Sequence, residues 1–165
     1  MKKITTVLTF KDQAEEAVKL YTSIFKNSRI LSTSRYGDAG PGAKGGLMTA
    51  NFELDGQEFV ALNGGPSFEF SQGISLLVDC QTQDEVDMFW EKLSEGGSKG
   101  PCGWLTDRFG VSWQIVPRVL SELLNDPDPA KATRVMKAML QMSKIDIAEI
   151  ERAAEGGTVE ATSGR

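Results

Sequence analysis

Histidine is absent from this chain of 165 residues, and cysteine occurs only twice. Cys80 and Cys102 are too few and too far apart to form a zinc-binding motif or a redox pair. We interpret both as buried thiols, since free cysteine is usually buried. Cys102 stays a minor candidate nucleophile, but without histidine it lacks the base that usually activates such a thiol.

Basic residues and long apolar runs are also scarce. The chain has 18 Lys and Arg against 23 Asp and Glu, a net charge of -5, which opposes binding to phosphate backbones or anionic membranes. No apolar run approaches the length of a membrane span, and Met1 to Ile4 lead directly into a strand pattern without a secretory segment. We therefore expect a cytoplasmic protein with no nucleic-acid partner and no membrane partner.

The remaining composition is that of an ordinary globular protein. Hydrophobic residues make up 40% and charged residues 25%, and the length suits one domain with a substantial core. Disorder and fibrous architectures are therefore not favoured.

The first half of the chain alternates strand and helix signals. Strands are predicted over 4–10, 29–36, 47–54 and 58–63. A helical pattern follows Asp12, which we expect to cap it, and Asp55-Gly56 predicts a hairpin turn. The glycine-rich stretch 37–46 joins two strands, and no Ser or Thr follows its lysine, so it does not fit a phosphate-binding loop. We interpret it as a flexible loop and a candidate lid.

The same order returns in the second half. A strand is predicted over 74–78 and a helix over 82–93, capped by Thr82 with Glu85, before two closing strands. Shifting the first helix by 69 positions places apolar residues on apolar residues: Ala17, Leu20, Tyr21 and Ile24 fall on Val86, Phe89, Trp90 and Leu93. The pattern predicts an α+β fold with two related modules, followed by helices over 118–155 and a loose tail over 156–165.

These patterns resemble the PhnB-like branch of the vicinal oxygen chelate superfamily, which includes the glyoxalases. Members of this branch often carry the label 3-demethylubiquinone-9 3-methyltransferase domain. The resemblance rests on four segments: Asn63 to Pro66, Glu85 to Trp90, Cys102 to Trp104 and Asp107 to Pro117. It implies paired βαβββ modules at about 1–63 and 73–117, each curled around a cavity, and commonly a homodimer. With the extension, one domain would span 1–155.

The resemblance also implies where a metal ion would bind. In metal-using relatives, inward side chains from four strands, usually His and Glu, hold one divalent ion. The matching positions here are Thr6, Ala61 or Asn63, Gly73 and Gln114. None supplies an imidazole or a carboxylate, so no negative charge would offset dehydration of a dication. We predict neither a metal nor a cofactor.

The side chains expected to line the cavity are mostly neutral. Side chains alternate along a strand, so Gln114 should face away from Trp113 and Ile115. The same alternation assigns Ser75 to the cavity. On the strand predicted over 58–63, it assigns to the cavity the face that carries Phe59, Ala61 and Asn63. The predicted ligand-binding residues are Thr6, Phe59, Asn63, Ser75 and Gln114. The expected ligand is a small organic molecule. No residue is assigned a catalytic role.

Three alternatives stay open at this point. The polar residues of the cavity could satisfy one another or the backbone and bind nothing, because buried polar groups are normally paired. The chain could be an enzyme of the superfamily, including the methyltransferase of the family label. However, its first strand does not lead into the glycine-rich turn that commonly binds S-adenosylmethionine. It could also be a structural dimer without a ligand.

Overall fold

The computed structural model describes residues 3–157 and divides the chain into two compact units, Met1–Phe70 and Ser71–Arg165. Most of the predicted loose tail, residues 158–165, lies outside the described residues. The first unit contains β1 (Thr6–Phe10), α1 (Ala14–Ile24), β2 (Arg29–Arg35), β3 (Leu47–Leu54) and β4 (Gln57–Asn63). The second contains β5 (Leu76–Cys80), α2 (Gln83–Ser94), β6 (Ser98–Lys99), β7 (Trp104–Thr106), β8 (Ser112–Pro117), α3 (Arg118–Leu124), α4 (Pro129–Met139) and α5 (Ile147–Ala154).

The two sheets have the same strand order. The first is β1-β4-β3-β2 and the second β5-β8-β7-β6. In each sheet the first strand of the unit pairs in parallel with the last, β1 with β4 and β5 with β8. The other strand pairs are antiparallel. The predicted α+β fold of paired βαβββ modules is therefore confirmed.

Each sheet packs one face against its helix. The buried positions of the two helices correspond under the shift found in the sequence: Ala17, Tyr21 and Ile24 in α1, and Val86, Trp90 and Leu93 in α2. Burial at this helical spacing produces one apolar face per helix. Because large apolar side chains stabilise by about 1.5 to 3 kcal/mol each when fully buried, this contact is a principal source of each unit's stability.

Local signals explain several turns and helix starts. Asp55 and Gly56 both have positive φ, 45° and 80°, as a two-residue hairpin between β3 and β4 requires. At the start of α2, the Thr82 hydroxyl accepts a hydrogen bond from the Glu85 N–H at 3.2 Å, as predicted. The Glu85 carboxylate in turn accepts one from the Gln81 N–H at 2.7 Å.

The helical extension belongs to the second unit and has its own core. Its three helices bury a shared apolar cluster: Leu120, Val135, Ala138, Met142, Ile145, Ile150, Ala153 and Ala154. Two backbone hydrogen bonds join the extension to the turn before β7, from Cys102 N to Met142 O at 2.8 Å and from Gly103 N to Ser143 O at 2.7 Å. Gly103 has φ +82°, and a Cβ there would lie 2.6 Å from the Ile115 carbonyl oxygen, so this contact requires glycine.

Candidate functional site

A cavity of about 490 Å³ lies in the first unit at the N-terminal end of α1. Its volume falls within the range of small-molecule sites. Apolar surface comes from Tyr36, Leu47, Pro41 and Pro66, and the charged side chains Lys11, Asp12 and Glu15 also line it. The cavity thus combines an apolar surface with a few charged groups.

The glycine-rich loop between β2 and β3 forms one wall of this cavity. It packs directly on the ring of Tyr36, which is only 8% exposed. A Cβ at Gly42 would lie 2.2 Å from two carbons of that ring, and one at Gly40 would lie 2.9 Å away. The sequence indicated a flexible loop; the structure shows that its glycines permit close contact with an aromatic ring.

Asn63 ties the cavity wall to the helix. Its Oδ1 accepts a hydrogen bond from Ala14 N at 2.9 Å, and its Nδ2 donates to Leu47 O at 3.0 Å. The Tyr36 hydroxyl donates to the Asn63 backbone carbonyl at 2.6 Å. The prediction that Asp12 caps α1 is wrong: the first helical N–H is bound by Asn63, which lies 49 positions along the chain.

The charges around the cavity fall into two groups. Glu15 is paired with Arg35 at 3.3 Å and with Lys19 at 3.1 Å. Hydrogen bonds from Arg35 first, and then from Lys19, hold the pKa of the Glu15 carboxyl below its usual value. Lys11 and Asp12 are exposed, and within residues 3–157 neither side chain has a hydrogen-bond or ion-pair partner.

Two predicted site residues lie on the helix-facing side of the first sheet. Phe59 is 7% exposed and stacks on Phe52 with ring centroids 5.4 Å apart. Thr6 shares its face of β1 with the buried Leu8 and Phe10. The prediction that Phe59, with Ala61 and Asn63, faces the open side of β4 is therefore wrong. Val60 and Leu62 are equally apolar, so alternation alone could not choose the buried face.

The other two predicted residues are brought together on the second sheet. Gln114 Nε2 donates to Ser75 Oγ at 2.8 Å, and both side chains are half-buried. Gln114 has two cross-strand partners that share its face, Trp104 on β7 and Leu77 on β5. Leu77 is 59% exposed. This face is mixed and mostly neutral, as predicted, and its one carboxylate, Asp79, is paired with Arg118.

A buried carboxylate explains the turn before β8. Asp107 is 3% exposed, and its Oδ1 accepts from Phe109 N at 2.9 Å and from Val111 N at 3.0 Å. Its Oδ2 accepts from Trp113 Nε1 at 2.9 Å. Because three hydrogen-bond donors satisfy this carboxylate, its burial is favourable and the role of Asp107 is structural.

The four positions at which the resemblance predicts a metal ion do not fit one. Both amide atoms of Asn63 are engaged by the backbone, and Gln114 is bonded to Ser75. Thr6 lies on the helix-facing side of β1, and Gly73 has no side chain. Elsewhere within residues 3–157, no group of three Cys, Asp or Glu side chains could hold an ion.

The two thiols differ in environment. Cys80 is fully buried, and desolvation first, then the charges of Glu85 and Asp79, raises its pKa to about 12. At neutral pH this group is a protonated thiol and a poor nucleophile. Cys102 is half-buried, and its Sγ donates to Met139 O at 3.6 Å.

Comparisons with known proteins agree with this architecture. The sequence model of the family 3-demethylubiquinone-9 3-methyltransferase matches residues 2–116. A PhnB protein from Bacillus cereus is 41% identical, over 70% of this chain and 99% of that chain, with a TM-score of 0.65. No curated protein matched the chain. Among the described residues, none of the helices combines the length and apolarity needed to cross a membrane.

Two more distant structures share the fold. Protein PA1353 from Pseudomonas aeruginosa is 24% identical over 71% of this chain and 98% of that chain, with a TM-score of 0.60. The fosfomycin resistance protein FosX from Listeria monocytogenes, complexed with Mn(II) and sulfate, is 19% identical over 76% of this chain and 99% of that chain, with a TM-score of 0.54. The chain thus belongs to the 3-demethylubiquinone-9 3-methyltransferase family of PhnB-like proteins.

Proposed function

We propose that this protein binds a small organic molecule, without a metal ion, in the cavity at the start of α1. The observation that carries the proposal is a cavity of about 490 Å³ with an apolar surface and charged groups beside it. Sites of this size and composition are typical of small-molecule binding. Of the predicted ligand-binding residues, Asn63 lines this cavity.

Hydrogen bonds hold the walls of the cavity in place, which supports a preformed binding site. Tyr36 is held by hydrogen bonds from both of its ends: its hydroxyl donates to Asn63 O at 2.6 Å, and its N–H donates to Gly46 O at 2.9 Å. Arg35 Nη1 donates to Gly45 O at 3.1 Å and also pairs with Glu15, which joins the loop to α1. A wall fixed in this way reduces the ordering that a ligand must impose.

The loop offers a matched pair of substitutions to test the proposal. Gly42→Ala would place a methyl group 2.2 Å from the Tyr36 ring, so the loop or the ring must move. Gly37→Ala places its methyl group in open space in the same loop. We expect Gly42→Ala to weaken binding of any cavity ligand by about tenfold, as a shift of roughly 1 to 2 kcal/mol implies, and Gly37→Ala to leave it unchanged.

The measurement is a fragment screen by two-dimensional NMR of the ¹⁵N-labelled protein. The proposal predicts ligands that shift the amide signals of Tyr36, Gly42 and Ala43. Ligands that shift only signals on the second sheet around Gln114, or equal affinity for both glycine variants, would contradict it.

The second sheet is proposed as a further neutral contact surface, which retains Ser75 and Gln114 as ligand-binding residues. Thr6 and Phe59 are not retained, because they lie on the helix-facing side of the first sheet. Gln114→Ala leaves Ser75 Oγ without its partner and should alter binding at this surface alone. A comparable loss of binding at the α1 cavity in that variant would argue against two separate surfaces.

An enzymatic role is the competing hypothesis, because the family description names a methyltransferase. Turnover assays with S-adenosylmethionine and metal analysis of purified protein distinguish the two. Methyl transfer at a measurable rate, or stoichiometric zinc, nickel or manganese, would overturn the metal-free binding role.

We also propose a cytoplasmic homodimer. The half-exposed apolar side chains Met136 and Leu140, near the end of α4, are candidates for a subunit contact. Light scattering coupled to size-exclusion chromatography measures the mass directly. A mass equal to the 18.0 kDa chain at all concentrations would contradict the dimer.

A further inference from the structure

Two adjacent side chains of opposite charge are left without partners at the α1 cavity. Lys11 and Asp12 follow β1 directly, both line the cavity, and both are exposed. Neither makes a side-chain hydrogen bond or ion pair to any residue among 3–157. They therefore offer one cationic and one anionic group to a bound molecule.

The third charged group that lines the cavity is already paired. Glu15 is bound by Arg35 and Lys19, two cations that do not themselves line the cavity, so its carboxylate already has partners. The N–H of Ala14, at the start of α1, is occupied by Asn63 Oδ1. The helix start is therefore not a free anion site, and the unpaired charged side chains that line the cavity are one cation, Lys11, and one anion, Asp12.

The apolar part of the cavity lies beside this pair. Tyr36 and Leu47 are nearly fully buried, and Pro41 and Pro66 complete the apolar lining. A molecule that satisfied both charges could place an apolar group against this surface. A ligand with a single charge would pair with only one of the two side chains and would lack the second charge-assisted contact.

We propose that the ligand is a small zwitterion of the α-amino-acid class with an apolar side chain. Its carboxylate would pair with the Lys11 ammonium, its ammonium with the Asp12 carboxylate, and its side chain would contact Tyr36 and Leu47. This inference rests on the proposed function of the same cavity. It assigns the chemical class of the ligand, which the cavity alone does not.

Three matched probes test the charge requirement by titration calorimetry. L-Phenylalanine carries both charges, N-acetyl-L-phenylalanine lacks the ammonium, and L-phenylalaninamide lacks the carboxylate. L-Leucine and L-methionine, each with its two blocked forms, extend the series to other apolar side chains. We expect each zwitterion to bind about tenfold more tightly than either of its blocked forms, because each lost charge pair leaves a protein charge unpaired.

Substitutions assign each charge to one residue. Lys11→Gln should weaken the binding of L-phenylalanine about fivefold. It should leave the binding of L-phenylalaninamide unchanged, since the amide has no carboxylate to pair with Lys11. Asp12→Asn should weaken L-phenylalanine similarly and leave the N-acetyl form unchanged. Lys26→Gln and Asp84→Asn, at exposed positions that are not among the residues lining the cavity, are the charge-matched controls and should change the binding of neither compound.

The outcomes separate this inference from the proposed function. If neutral fragments shift the Tyr36 and Gly42 signals while no zwitterion binds, the ligand class is wrong and the cavity remains a binding site. If no compound of any kind shifts those signals, both proposals fail. Equal effects of Lys11→Gln and Lys26→Gln on L-phenylalanine binding would also overturn the assignment.

Discussion

Asn63→Ala tests whether this side chain is mainly structural. The substitution removes both hydrogen bonds of the amide, to Ala14 N at 2.9 Å and to Leu47 O at 3.0 Å. Ala14 is 0% exposed and Leu47 is 4% exposed, so both backbone groups lie in buried residues. The change therefore leaves a helix N–H and a strand carbonyl without their partners.

The expected loss follows from these two groups. Each buried polar group left unsatisfied costs about 1 to 3 kcal/mol, and loss of a helix cap costs about 0.5 to 2 kcal/mol. Water from the adjacent cavity can replace part of each bond, so we expect a total near the low end, about 2 to 3 kcal/mol. For a chain of this length, that corresponds to a fall in Tm of roughly 5 to 10 °C.

The assay is urea unfolding followed by circular dichroism, with thermal unfolding as a second measure. Asn51→Ala is the matched control, because Asn51 Nδ2 donates at 2.8 Å to the exposed Ser32 hydroxyl. It should lose less than about 1 kcal/mol. Asn63→Asp keeps an acceptor for Ala14 N but loses the donor to Leu47 O, so an intermediate loss of about 1 to 2 kcal/mol is expected.

A loss below about 0.5 kcal/mol for Asn63→Ala, or equal losses at Asn63 and Asn51, would refute this reasoning. The result also decides how binding data are interpreted. Weaker ligand binding by Asn63→Ala is expected from damage to the cavity wall and does not by itself identify a ligand contact. The glycine and charge substitutions above avoid this ambiguity.

Three further predictions concern reactivity, stability and pH. Cys102 should react with a thiol reagent in the native protein while Cys80 reacts only after unfolding, because burial raises the Cys80 pKa to about 12; equal rates by mass spectrometry would contradict this. Phe59→Ala should cost about 3 to 5 kcal/mol in urea unfolding, since it empties a buried position, and a cost below about 1 kcal/mol would place Phe59 outside the core. Lys144→Met should lower the free energy of unfolding by less than about 1 kcal/mol. It removes the ion pair of Lys144 Nζ with Asp87 Oδ1 at 2.7 Å, and both of these side chains are partly exposed.

The pH dependence of that last pair has a definite sign. A hydrogen bond from Lys144 first, and one from Gln83 next, lowers the Asp87 pKa from its ordinary value of 3.8. A lowered folded-state pKa adds stability above the unfolded value, and this is lost as the pH falls through the folded value. The difference between wild type and Lys144→Met should therefore be full at pH 7 and shrink below the ordinary Asp pKa; a difference that grew in acid would contradict the assignment.

The sequence predicted the fold because the signals for it are local. The Asp55-Gly56 turn, the Thr82 cap and the apolar faces of both helices depend on neighbours a few positions away, and the structure confirms each. The second module's faces were also predicted, since Trp113 and Ile115 alternate clearly with Gln114.

The candidate site depended on contacts that are distant in sequence. Asn63 caps α1 across 49 positions, which no helix-start pattern reveals. On β4, both alternating sets are apolar, so only pairing with Phe52 on β3 identifies the buried face. The packing of Gly42 on Tyr36 was missed for the same reason, although a glycine-rich loop after a strand-ending tyrosine is a usable signal.

The most direct test of metal-free ligand binding at the α1 cavity is a high-resolution crystal structure. The crystals would be soaked with L-phenylalanine, or grown from protein purified with its natural ligand. We expect density for a small organic molecule between Tyr36, Lys11 and Asp12 at the start of α1, with no metal ion beside it. Density confined to the Ser75 and Gln114 face, or a cation bound there, would contradict it.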